Sequence, residues 1–196
     1  MKRLTGLVLV LVLVCLVAGP AAARDEVLIS GSISHGGYGG PVIKVAPIKN
    51  ETGIFVGGYG GWFINHCFLI GGGGYGLAND IKAPVTGDGE PRYYEMGYGG
   101  LVLEYVNNSY KLVHFTINTL IGAGGLGYRS NRERFSNEDT FFIIEPGINA
   151  ELNVSSHFRV GLGVGYRYID GIQLEGITEK DLNGMYASLT LKFGSF

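Results

Sequence analysis

The sequence predicts an all-β chain, an eight-stranded antiparallel β-barrel built as an up-and-down meander of Gly-rich strands. Three observations predict it. Glycine is in large excess, 34 of 196 residues, and each would cost a helix interior about 0.8–1 kcal/mol. Apolar and polar residues alternate at a period of two through the second half of the chain, which is the signature of half-buried strands. The connections between these segments alternate short and long, so an even number of strands places each kind at its own end. Other classes fall away on composition. Glycine has no three-residue period, which excludes collagen. With 46% hydrophobic residues, 12 Tyr and 10 Phe, the chain is far too apolar for disorder. A net charge of −2 gives no basic excess for nucleic acid.

Residues 1–23 read as a secretory signal peptide. Lys2 and Arg3 form a positive start, Leu7 to Val17 is an unbroken apolar run, and Ala21-Ala22-Ala23 supplies the small residues of a cleavage site. The run is short of the roughly 20 residues that a spanning helix needs. Residues 24–196 are then a single barrel domain. It keeps one cysteine, Cys67, so no internal disulfide holds it together.

The eight strands are expected near 38–48, 53–64, 67–78, 92–106, 110–128, 140–153, 157–169 and 183–194. The first four carry a repeat: His35-Gly-Gly-Tyr38-Gly-Gly, Gly57-Gly-Tyr59-Gly-Gly61, Gly71-Gly-Gly-Gly-Tyr75-Gly76 and Gly97-Tyr98-Gly-Gly100. No copy ends in the Lys-Ser/Thr of a phosphate loop. Glycine on the inner face of a small barrel makes room where side chains would collide, and it permits strong coiling. Tyrosine in the repeat suits a strand ending near a polar boundary. The later strands alternate openly. Val113, Phe115 and Ile117 oppose His114, Thr116 and Asn118. Ile144, Ile148 and Leu152 oppose Glu145, Asn149 and Glu151. Leu162, Val164 and Tyr166 oppose Arg159 and Arg167, and Leu189, Leu191 and Phe193 oppose Thr190 and Lys192.

Tight turns fall near Asn65-His66, Asn107-Asn108 and Ser155-Ser156. Long charged loops span Asn79–Pro91, Arg129–Asp139 and Asp170–Asp181. With both termini on one side, every tight turn except the first, Lys49–Thr52, lies with the termini, and every long loop lies opposite. That asymmetry is the one shown by outer-membrane barrels. The apolar face is therefore expected to meet lipid, making this a transmembrane barrel with its charges inside. The expected interior cluster is Glu95, His114, Asn118, Glu145, Asn149, Glu151, Arg159, Arg167 and Lys192. A hairpin centred on Ser155 sets Glu151 opposite Arg159 and Glu145 diagonal to Arg167. A two-residue turn at Asn107-Asn108 puts Glu95 on the face of His114, turns Tyr94, Met96, Tyr98 and Val102 to lipid, and leaves Glu104 and Lys111 as a rim pair.

Catalysis and metal binding find little support. Of His35, His66, His114 and His157, only His114 shares its face with a hydroxyl and an amide, Thr116 and Asn118, and no serine joins them. His66 and Cys67 point to opposite faces. The acidic loop Asp170, Glu175, Glu179 and Asp181 lacks the spacing of a calcium loop. No catalytic residue, metal ligand or cofactor site is expected. Arg129, Arg132 and Arg134 cluster at the top of the fifth strand, where they suit lipopolysaccharide phosphates or pairing with Glu133, Glu138 and Asp139. Eight strands enclose room for side chains only, so no large pore is expected.

The chain resembles the small eight-stranded outer-membrane β-barrel family that includes the membrane domain of outer-membrane protein A and the Ail-type adhesins. The resemblance extends over residues 24–196 in architecture. It includes the ending, Tyr186-Ala-Ser-Leu189-Thr-Leu191-Lys-Phe193-Gly-Ser-Phe196, which looks like the C-terminal signal read by the outer-membrane assembly machinery. Phe193 and Phe196 lie on opposite faces of that strand. The resemblance implies a Gram-negative outer membrane, surrounding lipid and lipopolysaccharide, and a structural or surface-interaction role. A lipid-modifying enzyme and a soluble periplasmic barrel that binds an apolar ligand are the alternatives.

Overall fold

The computed structural model describes residues 33–49, 51–84, 91–129 and 136–196. The signal-peptide reading of residues 1–23 lies outside them. The strands are β1 His35–Ile48, β2 Glu51–Ile64, β3 Phe68–Leu77, β4 Lys82–Ala83, β5 Arg92–Asn107, β6 Val113–Arg129, β7 Ser136–Ser155, β8 Phe158–Asp170 and β9 Gly184–Ser195. A single helical turn, α1, spans Glu179–Leu182. The strands pair in the order β3-β2-β1-β9-β8-β7-β6-β5-β4, and β3 also pairs with β5, which closes the sheet on itself. The stub β4 runs along β5 where β3 has left off, pairing Lys82 with Tyr93. Eight staves therefore form a closed antiparallel barrel, as the alternation and turn spacing predict. Closure pairs the long edges of β3 and β5 that an open sheet would expose.

The turns at the terminal end are short, and asparagine makes two of them possible. Asn65 and Asn108 have φ of 51°, a left-handed conformation that Asn tolerates because its side chain bonds its own backbone. Among the described residues, the loop end carries 78–84 and 171–183. Apolar side chains from both segments, Ile81, Ile172, Leu174, Ile177 and Leu182, are buried in the barrel mouth. The second segment is tied down from below. Arg167 Nε donates to the Leu182 carbonyl at 2.9 Å and its Nη2 to the Pro47 carbonyl at 2.6 Å. The Lys49 amide donates to the Asp181 carbonyl at 2.6 Å. At the terminal end Phe196 turns inward, 5.0 Å from the Tyr38 ring and with the Arg159 guanidinium 3.8 Å above its centre.

The repeat tyrosines have a different place from the one expected. Tyr38, Tyr59, Tyr75 and Tyr98 all point into the barrel and are buried, so they are not boundary residues. The glycines beside them make this possible. A Cβ on Gly57 would lie 2.0 Å from the Gly74 carbonyl oxygen and 2.8 Å from the Tyr75 ring. A Cβ on Gly40 would lie 1.7 Å from the Leu191 carbonyl oxygen. Inward glycine thus lets strongly coiled strands approach while large rings fill the interior. Several outward glycines carry no such constraint: at Gly72 the nearest atom to an added Cβ is 3.7 Å away.

Candidate functional site

The barrel is inverted in polarity. Lys44, Glu104, Glu145, Glu151, Arg159, Arg167 and Lys192 are all buried, while Ile43, Val56, Ile70, Leu101, Ile117, Ile148, Leu162 and Leu189, one from each stave, are exposed. Buried charges must be paired to be tolerated, and the pairing forms two clusters inside the barrel.

The first cluster lies toward the terminal end and centres on Glu104 of β5. Its carboxylate accepts from Tyr59 Oη at 2.6 Å and from Lys192 Nζ at 2.5 Å, and it also accepts from Tyr38 Oη. Lys192 bridges to a second carboxylate, Glu151 of β7. Glu151 also accepts from Thr116 at 3.2 Å, and its other oxygen lies 3.3 Å from His114 Nε2. The His114 Nδ1–H donates to the Lys111 carbonyl at 3.1 Å. Asn149 donates to Thr116 at 2.9 Å and stands 3.5 Å from the half-buried Asn118. Gly163 leaves the space that the Asn149 amide needs: a Cβ there would sit 1.9 Å from Asn149 Oδ1.

The second cluster lies nearer the loop end. Lys44 of β1 pairs with Glu145 of β7, and Tyr98 donates to the other oxygen of Glu145 at 2.9 Å. The Lys44 ammonium also sits 3.5 Å from the centre of the Tyr75 ring, a cation–π contact.

Several expectations need correction. Glu95 is not in the interior: it lies half-buried on the outer face of β5, opposite Gly127. Tyr94, Met96, Tyr98 and Val102 are inside rather than toward lipid. Glu104 is no rim residue and does not pair with Lys111, which is exposed. One cause underlies all three. The β5–β6 connection is residues 108–112, not a two-residue turn, and Val106 pairs with Thr116 rather than with Ser109. That displacement is odd, and an odd displacement exchanges the two faces of a strand.

Neither Glu151–Arg159 nor Glu145–Arg167 forms a salt bridge, although the rungs Ile144–Tyr168 and Gly147–Gly165 set Glu145 opposite Arg167. Asn153 stands opposite Arg159, and Glu151 opposite Gly161, with a register irregularity between Asn153 and Ser155. Here the displacement is two residues, so faces are kept: Arg159 moves away from Glu151, while Glu145 and Arg167 move from diagonal to opposite. Arg159 donates to the Ser109 carbonyl at 3.2 Å, and Arg167 binds the carbonyls of Leu182 and Pro47. The carboxylates turn instead to lysines across the barrel. Lys44 and the repeat tyrosines had no place in the expected cluster.

His114 shares its face with Thr116, but the Thr116 hydroxyl donates to Glu151 rather than to the imidazole. Arg129 pairs with Asp80 at 2.5 Å, and both side chains are solvent-exposed at the loop end. Arg132 and Arg134 lie outside the described residues.

These features define a small closed eight-stranded antiparallel barrel with an apolar exterior and a charged interior. No family model matches the chain, and no curated protein matches it in sequence. Solved structures do match in fold. Neisserial surface protein A is 13% identical with a TM-score of 0.51, over 84% of this chain and 99% of that one. The outer-membrane protein OprG from Pseudomonas aeruginosa is 10% identical with a TM-score of 0.53, over 82% of this chain and 94% of that one. Both are small eight-stranded outer-membrane barrels. The likeness is one of fold.

Proposed function

We propose that this chain is an outer-membrane barrel protein with a structural or surface-interaction role and no large pore. The observation that carries the reading is the apolar belt present on all eight staves, around an interior that holds three carboxylates and four Lys or Arg side chains among the described residues. In water this arrangement is the wrong way out, because the belt would be solvated and the charges desolvated. In lipid each face meets the environment it suits. The belt has the right height. Outward aromatic residues Trp62, Tyr105 and Phe193 mark its terminal border, and Phe142, Tyr166 and Tyr168 its loop border. Phe158 and Tyr168 are ten residues apart on β8. At about 3.3 Å per residue and a tilt of about 40° this is about 25 Å along the axis, the hydrophobic height of such barrels. Glu51, Glu95, Arg129 and Asp170 fall at the loop border.

The two neighbours in fold, a surface protein and an outer-membrane protein, agree with this location. The half-exposed Arg129 is the candidate contact for lipopolysaccharide phosphates, and Arg132 and Arg134, outside the described residues, join it by sequence alone. The absence of a large pore is supported by the packing of the mouths: Leu182 and its neighbours fill one, and Phe196 with Arg159 the other. The enzyme reading is less well supported, because His114 is buried and engaged by Lys111 and Glu151. The test is fractionation with heat-modifiability. The full chain is expressed, outer membranes are isolated, and boiled and unboiled samples are compared on a gel. Recovery in the outer membrane with a mobility shift is expected. Recovery in the soluble periplasm without a shift would overturn the reading and restore the soluble ligand-binding barrel.

A further inference from the structure

The two lysines of the interior sit on the two strands that close the barrel, Lys44 on β1 and Lys192 on β9. Their carboxylate partners stand two to four staves away, Glu104 on β5 and Glu145 and Glu151 on β7. We propose that the Lys44–Glu145 pair, which spans the seam, selects the register in which β1 closes on β9.

The seam needs such a device. The β1–β2 ladder pairs fourteen positions without a break. The β1–β9 ladder pairs seven, Gly37–Gly39 and Val42–Val45, interrupted at Gly40 and Pro41. Pro41 has no N–H to contribute. The residues facing outward at the seam are Ile43 and Val45 against Leu189 and Ala187, with Leu191 next along. On the outer face, sliding β1 by two residues exchanges one aliphatic neighbour for another; on the inner face it brings Tyr38 or Val42 to the place of Gly40 beside the Leu191 carbonyl. Hydrophobic patterning therefore excludes a slip of one but not a slip of two. Such a slip changes the stagger of the closed sheet, and with it tilt and diameter.

The Lys44–Glu145 pair does discriminate. Lys44 reaches Glu145 across the seam, through β9 and β8. A two-residue slide moves it about 7 Å along the strand and out of contact. Glu104 stands four staves from β9 in either direction around the barrel. Lys192 meets it across the interior, within the run β5 to β9 that the other ladders already set. Fixing register is the best-attested use of buried polar pairs.

Cysteine cross-linking across the seam tests this, in the full chain with Cys15→Ser and Cys67→Ser and counting only the heat-shifted folded band. Ile43→Cys is combined with Leu189→Cys for the native register, and with Ala187→Cys or Leu191→Cys for the two slipped ones. The native pair should dominate when Lys44 is present. In Lys44→Met its share of the cross-linked product should fall by about threefold, with a slipped pair appearing, since no ion pair then favours the native register. Lys44→Arg should restore the native pair. A native share unchanged in Lys44→Met overturns the proposal. If Lys44→Met gives no folded band, Val42→Lys with Lys44→Val decides. The cation has then moved two residues, and cross-linking should move to Ile43 with Ala187. Native cross-linking in that variant, or no folded product, overturns the proposal.

Discussion

Glu104 offers the sharpest test of how the interior is held. Its carboxylate is the shared acceptor of Tyr38, Tyr59 and Lys192, and it is 1% exposed. Glu104→Ala strands two buried phenol hydroxyls, each costing about 1–3 kcal/mol when unpaired. It also removes one of the two carboxylates on Lys192. That ammonium keeps Glu151, so the charge is not fully orphaned, and the total is expected within the range for breaking a buried pair, about 3–5 kcal/mol. Glu104→Gln keeps an acceptor for the tyrosines and loses the charge, so its cost should fall between wild type and Ala. Equilibrium denaturant unfolding in detergent micelles measures this. The single tryptophan, Trp62, is an internal reporter because it sits in the outer belt, stacked on His35 at 5.5 Å. Lys111→Ala is the control, since an exposed rim pair with Glu104 would make both single variants cost the same, about 0.2–1 kcal/mol. A loss under about 1 kcal/mol in Glu104→Ala, or an equal loss in Lys111→Ala, would refute the assignment of Glu104 to the interior cluster.

Three further outcomes are expected. Leu162 is 64% exposed, and Leu162→Arg would be nearly neutral in water, within about 0.5 kcal/mol. In a lipid belt it should cost about 2–4 kcal/mol and cut recovery in the outer membrane, so unchanged stability and yield would count against membrane embedding. Gly57→Ala should destabilise by about 1–3 kcal/mol or more through collision with the Gly74 carbonyl, whereas Gly72→Ala should stay within about 0.5 kcal/mol. Matched unfolding curves read both, and equal losses would sink the close-approach argument. Phe193 is exposed and stacked on Phe158 at 4.8 Å, while Phe196 points inward. If the assembly machinery reads the outward aromatic, Phe193→Ala should lower assembly in cells yet refold in detergent, and Phe196→Ala should assemble. The reverse pattern of assembly yields would reject Phe193 as the signal.

Strand number, strand limits and the polarity of β6 to β9 were legible because they depend on local information. A period of two assigns a residue to one face or the other without reference to any partner. Each of those strands has one clearly apolar face, so the strand itself settles the assignment. β5 does not. It carries Glu95 on one face and Glu104 on the other, with tyrosine and glycine on both, so its faces had to be inferred from the turn that follows. Asn107-Asn108 resembles a tight hairpin, but the connection runs on to Leu112. The resulting seven-residue displacement, Thr116 for Ser109 opposite Val106, was enough to move Glu95 inside and Tyr98 outside.

Partner identity is harder than face because it depends on contacts with no trace in local sequence. The expected ion pairs joined neighbouring strands, where cross-strand spacing can be counted from a turn. The pairs that form, Lys44 with Glu145 and Lys192 with Glu104, cross the interior between strands far apart in the meander. Their geometry exists only after closure, and closure is the step that the repeating pattern of aliphatic residues leaves undetermined by two. The same fact accounts for the tyrosines. Within its own strand Tyr98 is one more aromatic residue among glycines. Only the closed barrel brings its hydroxyl to Glu145, and only the absence of a side chain on neighbouring staves leaves the ring room to reach it. The Gly-Tyr repeat is therefore an interior-packing pattern written along separate strands, readable once the register joins them.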